Sequence, residues 1–269
     1  EGLTMQPSPA EVMAEVQDAL TTLPACLAGS VVSAETYGLP LASTSDVDVF
    51  CYNEAALFVG VQRLLNHDFY LEERHAKVWN RWLAYGFARS KMWHTNSIKL
   101  ISPLGREVNL IHKLLGRQPL SSLSQVLESF DFGLLATGYD LQLDQKMDLR
   151  PFLFPGYDID GPLPLMPNKR DHWRQGFISQ YNGLREMGRY AKYARYGHDL
   201  SLVRDDLVLG YQEAALYLQG SPDPDRVTLG GIYQAAAFKI EDGDLDDLEQ
   251  ASSLINTKDS LDQIMEALE

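Results

Sequence analysis

Apolar residues recur every three or four positions over residues 8–23, where Val12, Val16, Ala19, Leu20 and Leu23 share one stripe. That spacing predicts an amphipathic helix. Ser8, Pro9 and Glu11 form a helix-start pattern, because a serine cap, a proline in the first turn and an acid three residues on each suit a helix N-terminus. Pro24 stops the element. Residues 54–66 repeat the spacing through Ala55, Leu57, Phe58, Val61, Leu64 and Leu65. Between the two helices the period drops to two. Asp46-Val47-Asp48-Val49-Phe50 alternates acid with apolar residue, so as a strand it turns both carboxylates to one face and both valines into a core. Gly29-Ser30 follows a helix-like segment and opens a short stretch toward the turn Tyr37-Gly38.

Two further runs, Ser97–Ile101 and Glu107–Ile111, are joined by Ser102-Pro103-Leu104-Gly105-Arg106, whose Pro and Gly predict a hairpin. A helix over Leu120–Ser129 leads into Phe130-Asp131-Phe132-Gly133-Leu134-Leu135-Ala136, which reads as a strand carrying one acid. Residues 139–149 add a last strand. The stretch His67–Trp93 is aromatic and basic and fits neither period. From Pro151 to Pro167 the chain has five prolines and two glycines, a density that regular elements do not survive. Beyond it Trp173, Phe177, Tyr181, Leu184, Met187, Ala191 and Ala194 make one helical stripe, and further helices are expected at 200–219, 226–240 and 244–267, the last punctuated near Asn256 and Lys258. These shifts divide the chain into a first domain over 1–150, a linker over 151–168 and a helical domain over 169–269.

Charge changes this picture more than length does. The 269 residues carry a net charge of -14, which disfavours broad binding to nucleic acid. The charge is segregated, however. No Lys or Arg precedes Arg63; residues 63–117 hold ten bases against four acids, residues 169–195 seven against two, and residues 199–269 four against sixteen. Two basic stretches in an acidic chain suit local anion sites. Lys91, Lys99 and Arg106 lie in the first, and Arg185, Arg189 and Lys192 share a helical face in the second. Tyr190, Tyr193 and Tyr196 beside that face suit either base stacking or core packing. The same bases equally suit solvated helix and strand faces. No apolar run approaches the roughly 20 residues that span a bilayer, so no membrane partner is expected. Cys26 and Cys51 form no CxxC pair, which suits a reducing, cytoplasmic setting. No His or Cys falls at zinc-ligand spacing, and no Walker A loop, dinucleotide glycine motif or serine-nucleophile elbow is present.

The acids carry the remaining chemistry. Carboxylates brought together on the inner part of a sheet are costly unless a cation joins them, and Mg²⁺ suits oxygen ligands. Asp131 is the favoured third acid, because it alone has apolar neighbours on both sides within an expected strand; Glu107, Glu128 and Asp140 compete.

Ala28-Gly29-Ser30, Asp46-Val47-Asp48-Val49 and Phe130-Asp131-Phe132 together resemble the nucleotidyltransferase superfamily, the fold shared by polymerase-beta-like, poly(A)-adding and CCA-adding enzymes. The resemblance covers about the first 140 residues. The interval from Gly-Ser to the first acid is slightly long for the family, and His67–Trp93 has no counterpart. The resemblance implies an α+β fold, with a nucleotidyltransferase-type mixed sheet flanked by helices and followed by an α-helical C-terminal domain. It implies Asp46, Asp48 and Asp131 as catalytic residues and as ligands of two Mg²⁺ or Mn²⁺ ions. Gly29 and Ser30 would approach the β- and γ-phosphates; Lys99, Arg189 and Lys192, read from the two basic stretches and not from the resemblance, are further candidate nucleotide contacts. The implied reaction transfers a nucleoside monophosphate from an NTP, ATP being favoured by family frequency, to an acceptor hydroxyl on RNA or a tRNA end, a protein or a small molecule. A catalytically inactive nucleotide- or partner-binding module of the same fold, or a toxin-like transferase, is the alternative.

Overall fold

Helix α1 (Pro9–Leu20) starts where the serine predicts. The Ser8 hydroxyl accepts from the Glu11 amide at 3.3 Å and the Glu11 carboxylate accepts from the Ser8 amide at 2.6 Å, satisfying two of the amides that a helix start leaves without intrahelical partners. Val12, Val16, Ala19 and Leu20 are buried as expected, with Met13 beside them. The structure, a computed structural model, describes residues 7–42, 45–85, 95–115, 118–169, 182–255 and 261–268. The chain forms two compact units. The first comprises Glu1–Phe130 and Leu134–Phe152, the second Asp131–Gly133 and Leu153–Glu269.

The first unit is a mixed sheet with helices. Its elements follow α1 as β1 (Ala25–Ala28), α2 (Ser30–Tyr37), β2 (Val47–Cys51), α3 (Glu54–Asn66), β3 (Tyr70–Leu71), α4 (Glu73–Tyr85), β4 (Thr95–Ile101), β5 (Glu107–Leu115), β6 (Gln118–Pro119), α5 (Leu123–Glu128), β7 (Thr137–Asp140) and β8 (Gln145–Asp148). The strand order is β3-β4-β5-β2-β1-β7-β8, with β6 pairing the far part of β5. Among the described strands only β2 and β5 run parallel; the other neighbours are antiparallel. The fold class is therefore α+β, as expected.

The sheet buries both faces. Leu27, Val47, Val49, Ile98, Leu100, Val108 and Leu110 join Val16, Leu20, Leu57, Val61 and Leu64 in one core. On the other face Cys26, Ala28, Phe50 and Tyr52 pack with Leu123, Val126 and Leu127 of α5. This double burial explains why β1 escapes a reading by periodicity. Ala-Cys-Leu-Ala is buried at all four positions, so nothing alternates, and the helix-like segment before Gly29 is a strand.

Three other expectations need correction. The described part of His67–Trp93 forms β3 and α4, where Trp79 and Trp82 are buried and ring contacts link them to each other and to Phe58. Residues 139–149 lie in a hairpin of two strands, β7 and β8, whose tip holds Asp144 at φ 54°. The strand expected over Phe130–Ala136 does not form: Phe132 makes one isolated bridge to Leu165, and Gly133–Leu135 is a 3-10 turn. The reason is local packing. A side chain at Gly133 would meet Phe154 at 2.5 Å and the Pro164 carbonyl at 2.7 Å, so this backbone lies against the proline-rich segment instead of pairing in a sheet. That segment keeps little regular structure, as its prolines predict, beyond the short helix α6 (Arg150–Leu153).

The second unit contains α7 (Asn182–Arg195), α8 (Ser201–Gln219), α9 (Pro224–Asp242), α10 (Leu245–Leu254) and α11 (Leu261–Glu266). Leu184, Met187 and Ala191 are buried, while Trp173, Phe177 and Tyr181 lie outside the described residues. Tyr211 of α8 stacks against Tyr233 of α9 at 5.3 Å, and its hydroxyl donates to the Gly183 carbonyl at 2.5 Å. The helix expected over 244–267 is divided into α10 and α11. Among the described residues no helix is long and apolar enough to cross a membrane.

Candidate functional site

Strand β1 ends at Ala28, directly opposite Asp48 of β2. The chain then turns at Gly29, with φ 88° and ψ -148°, a conformation that is nearly restricted to glycine. The geometry also needs the missing side chain, because Asp48 Oδ2 lies 3.3 Å from where a Cβ would stand. Ser30 follows as the first residue of α2. The opening amides of that helix have no intrahelical acceptors, and its dipole favours negative charge there. The Ser30 hydroxyl donates to the Asp46 carbonyl at 3.4 Å. Gly29, Ser30, Asp46 and Asp48 thus meet at one end of the sheet.

Register adds a residue that lies outside the sequence motifs. Asp48 stands opposite Asn109 in the parallel β2–β5 pair, and Asn109 stands opposite Lys99 in the β4–β5 hairpin. Directly opposed residues present their side chains to the same sheet face. Asn109 Nδ2 donates to Asp46 Oδ2 at 2.7 Å and to Asp48 Oδ1 at 3.1 Å. The two carboxylates therefore converge on a single nitrogen. The signal was present in Val108-Asn109-Leu110, which repeats the apolar-polar-apolar alternation of β2; it was overlooked because the polar residue is an amide.

Lys99 and Glu107 border this cluster. Their ion pair is 2.7 Å long, and the hydrogen bond to Glu107 holds the lysine above its usual pKa, with the charge of Asp46 acting in the same direction. Arg106 has a different task from phosphate binding. It is buried and donates to the Ala42 carbonyl at 2.5 Å. Lys91 lies outside the described residues. Asp140, one of the competing third acids, accepts from the Tyr52 hydroxyl at 2.6 Å and from the amides of Gln142 and Leu143, which is a turn-forming role.

Asp131 belongs to the second unit. Its carboxylate pairs with Lys169 at 2.6 Å and with Arg189. Arg189 Nη1 also pairs with Glu186 at 3.0 Å, so one guanidinium serves two acids. Lys192 lies over the rings of Tyr193 and Tyr196 at 5.9 and 5.7 Å. Among the sequence-derived candidates, Gly29, Ser30, Asp46, Asp48 and Lys99 are thus in the first unit, and Asp131, Arg189 and Lys192 in the second.

No family profile and no curated protein matches the chain. Whether a divalent cation fits must be judged from the side chains. Among the described residues no group of three or more His, Cys, Asp or Glu is close enough to hold a metal ion. Asp46 and Asp48 do converge, and their carboxylates offer oxygen donors of the kind Mg²⁺ and Mn²⁺ take, while Asn109 turns its amide nitrogen to them. This acid pair is the candidate cation site. Gly29→Ala should disturb it directly: the added Cβ must cross a glycine-only conformation at a cost of about 1–3 kcal/mol and press on the Asp48 carboxylate. Denaturant unfolding checks the stability loss, and titration with Mn²⁺ checks the accompanying weaker binding.

Proposed function

We propose that the first unit is a nucleotidyltransferase-type domain that binds an NTP with Mg²⁺ or Mn²⁺ and transfers its nucleoside monophosphate to an acceptor hydroxyl. The observation that carries this reading is the convergence of Asp46 and Asp48 on Asn109 beside Gly29, at the start of α2. A paired acid site suits a cation; an adjoining helix start with a bare glycine suits phosphate oxygens. The mixed sheet supports the same fold, and the helices of the second unit suit the C-terminal domain that the resemblance implies.

A bound cation would withdraw charge from the triphosphate and from the pyrophosphate that leaves. The chain supplies the rest. Asp46 and Asp48 hold the cation in one place relative to α2. Gly29 lets the backbone approach phosphate closely, and the Ser30 amide donates to its oxygens. Lys99 offers a further positive charge beside Asp46. Most of the acceleration in such a site comes from positioning and charge. The strongly acidic segment 199–269 favours a small molecule, a protein side chain or a tRNA end as acceptor over a long polyanion held without specificity. ATP is the first donor to test.

The test is labelling of a cell lysate with each α-labelled NTP, in Mg²⁺ or Mn²⁺ and again in EDTA. The α-label should enter a product while a γ-label leaves with pyrophosphate, and digestion by nuclease or protease identifies the acceptor class. No transfer of label from any of the four NTPs would overturn the transferase reading. Asn109 favours a second reading, nucleotide binding without turnover, because a neutral amide cannot take the proton of an acceptor hydroxyl as a carboxylate can. That reading predicts saturable NTP binding and no release of pyrophosphate.

A further inference from the structure

We infer that Asn109 makes this a single-cation site, in which a neutral amide occupies the position on β5 where a third carboxylate would support a second ion. The inference rests on the nucleotide-site reading above. Its evidence is the register: Asn109 lies opposite Asp48 and within hydrogen-bond distance of both acids.

Two divalent ions in one phosphoryl-transfer site stand roughly 3.5–4 Å apart. Their repulsion is four times that of two unit charges at the same separation, so the protein must bring enough negative charge to offset it. Asp46 and Asp48 provide two charges. Asn109 provides none. Glu107 is on β5 two residues away and is engaged by Lys99 at 2.7 Å, and the Lys99 ammonium itself opposes a second cation. Asp131 is engaged by Lys169 and Arg189.

The amide also ties the two acids together. Its NH₂ group has two hydrogens and donates to both carboxylates. With a cation held by the two acids, those hydrogens would face a positive charge. Rotation of the amide by half a turn then exchanges Nδ2 for Oδ1 and presents an oxygen ligand to the ion. In that position Asn109 would be a neutral ligand that adds no charge to the site. No bond is made or broken in the exchange.

Mn²⁺ counting by electron paramagnetic resonance tests this without any turnover. The full chain is titrated with Mn²⁺ in the presence of a non-hydrolysable α,β-methylene ATP, and free Mn²⁺ is read from its solution signal, with the nucleotide alone as the blank. One protein-dependent Mn²⁺ per chain is expected for the wild type, two for Asn109→Asp, and one for Asp131→Asn. Asn109→Leu should keep the single ion with about tenfold weaker binding, the loss of roughly one ligand interaction. Two ions in the wild type would overturn the single-cation inference while leaving the nucleotide site standing; if Asp131→Asn then removed one of them, the second unit would be its source. No protein-dependent Mn²⁺ in any form would overturn both. A single ion in Asn109→Asp would also overturn the inference, provided its melting temperature matched the wild type.

Discussion

Asp48→Asn should abolish cation-dependent transfer of an α-labelled nucleotide while the protein remains folded. The substitution keeps the shape of the side chain and removes one of the two charges that would hold the cation. Loss of a ligand to a cation that stabilises phosphoryl transfer costs several kcal/mol, and about 4 kcal/mol corresponds to roughly a thousandfold fall in rate. The fold has little stake in that charge. Val47 and Val49, buried on the other face of β2, carry the packing, and an amide at position 48 still bonds with its neighbours. A thermal melt should therefore agree with wild type within roughly 1 kcal/mol, the range of substitutions away from the core. Asp46→Asn should behave similarly. Equal labelling by wild type and by both variants would show that the acid pair has no part in the reaction. Loss of labelling with an unchanged melt would separate a chemical role from a structural one, which Gly29→Ala does not do because it changes both.

The same acids show how much of the site can be read from sequence. Alternation in Asp46-Val47-Asp48-Val49 was sufficient to place two carboxylates on one face, because a strand covered on its apolar side leaves its register no freedom. The hairpin of β4 and β5 was equally legible from Pro103 and Gly105. What escaped was the pairing between distant strands. Nothing local to Asn109 says that β5 lies parallel to β2, and it is that pairing which brings the amide onto the acids. Asp131 illustrates the converse. Apolar neighbours at Phe130 and Phe132 suggested a strand, yet Gly133 and the segment around Pro164 hold this backbone as a single bridge and a 3-10 turn. The apolar residues do pack in the core, and it is their secondary structure that departs from the local pattern. Fully buried β1 shows a third limit, since four small or apolar residues without alternation are equally compatible with helix and strand. Helices α8 and α9, by contrast, were placed within a few residues by length and spacing alone.

Glu186→Gln should stabilise the protein above neutral pH and have little effect in acid. The Glu186 side chain is only 12 % exposed in α7, and this burial pushes its carboxyl from the ordinary 4.5 up to about 7; Lys169 and Arg185 only partly oppose this. Arg189 pairs with it at 3.0 Å, but the same nitrogen is shared with Asp131, and the second Glu186 oxygen has no hydrogen-bond partner among the described residues. The sign of the pH dependence follows from proton counting. Between about 4.5 and 7 the folded chain holds the Glu186 proton while the unfolded chain releases it, so the folded state binds more protons and stability falls as pH rises. Below that window the group costs nothing. Above it the charged carboxylate is fully unfavourable, by on the order of 3 kcal/mol at most. Glutamine keeps an oxygen for Arg189 and carries no charge. Denaturant unfolding should therefore give a variant about 1–3 kcal/mol more stable than wild type at pH 8 and indistinguishable from it near pH 4.5. A variant destabilised equally at both values would mean that the Glu186 charge is satisfied in the folded chain and that its pairing with Arg189 outweighs the cost of burial.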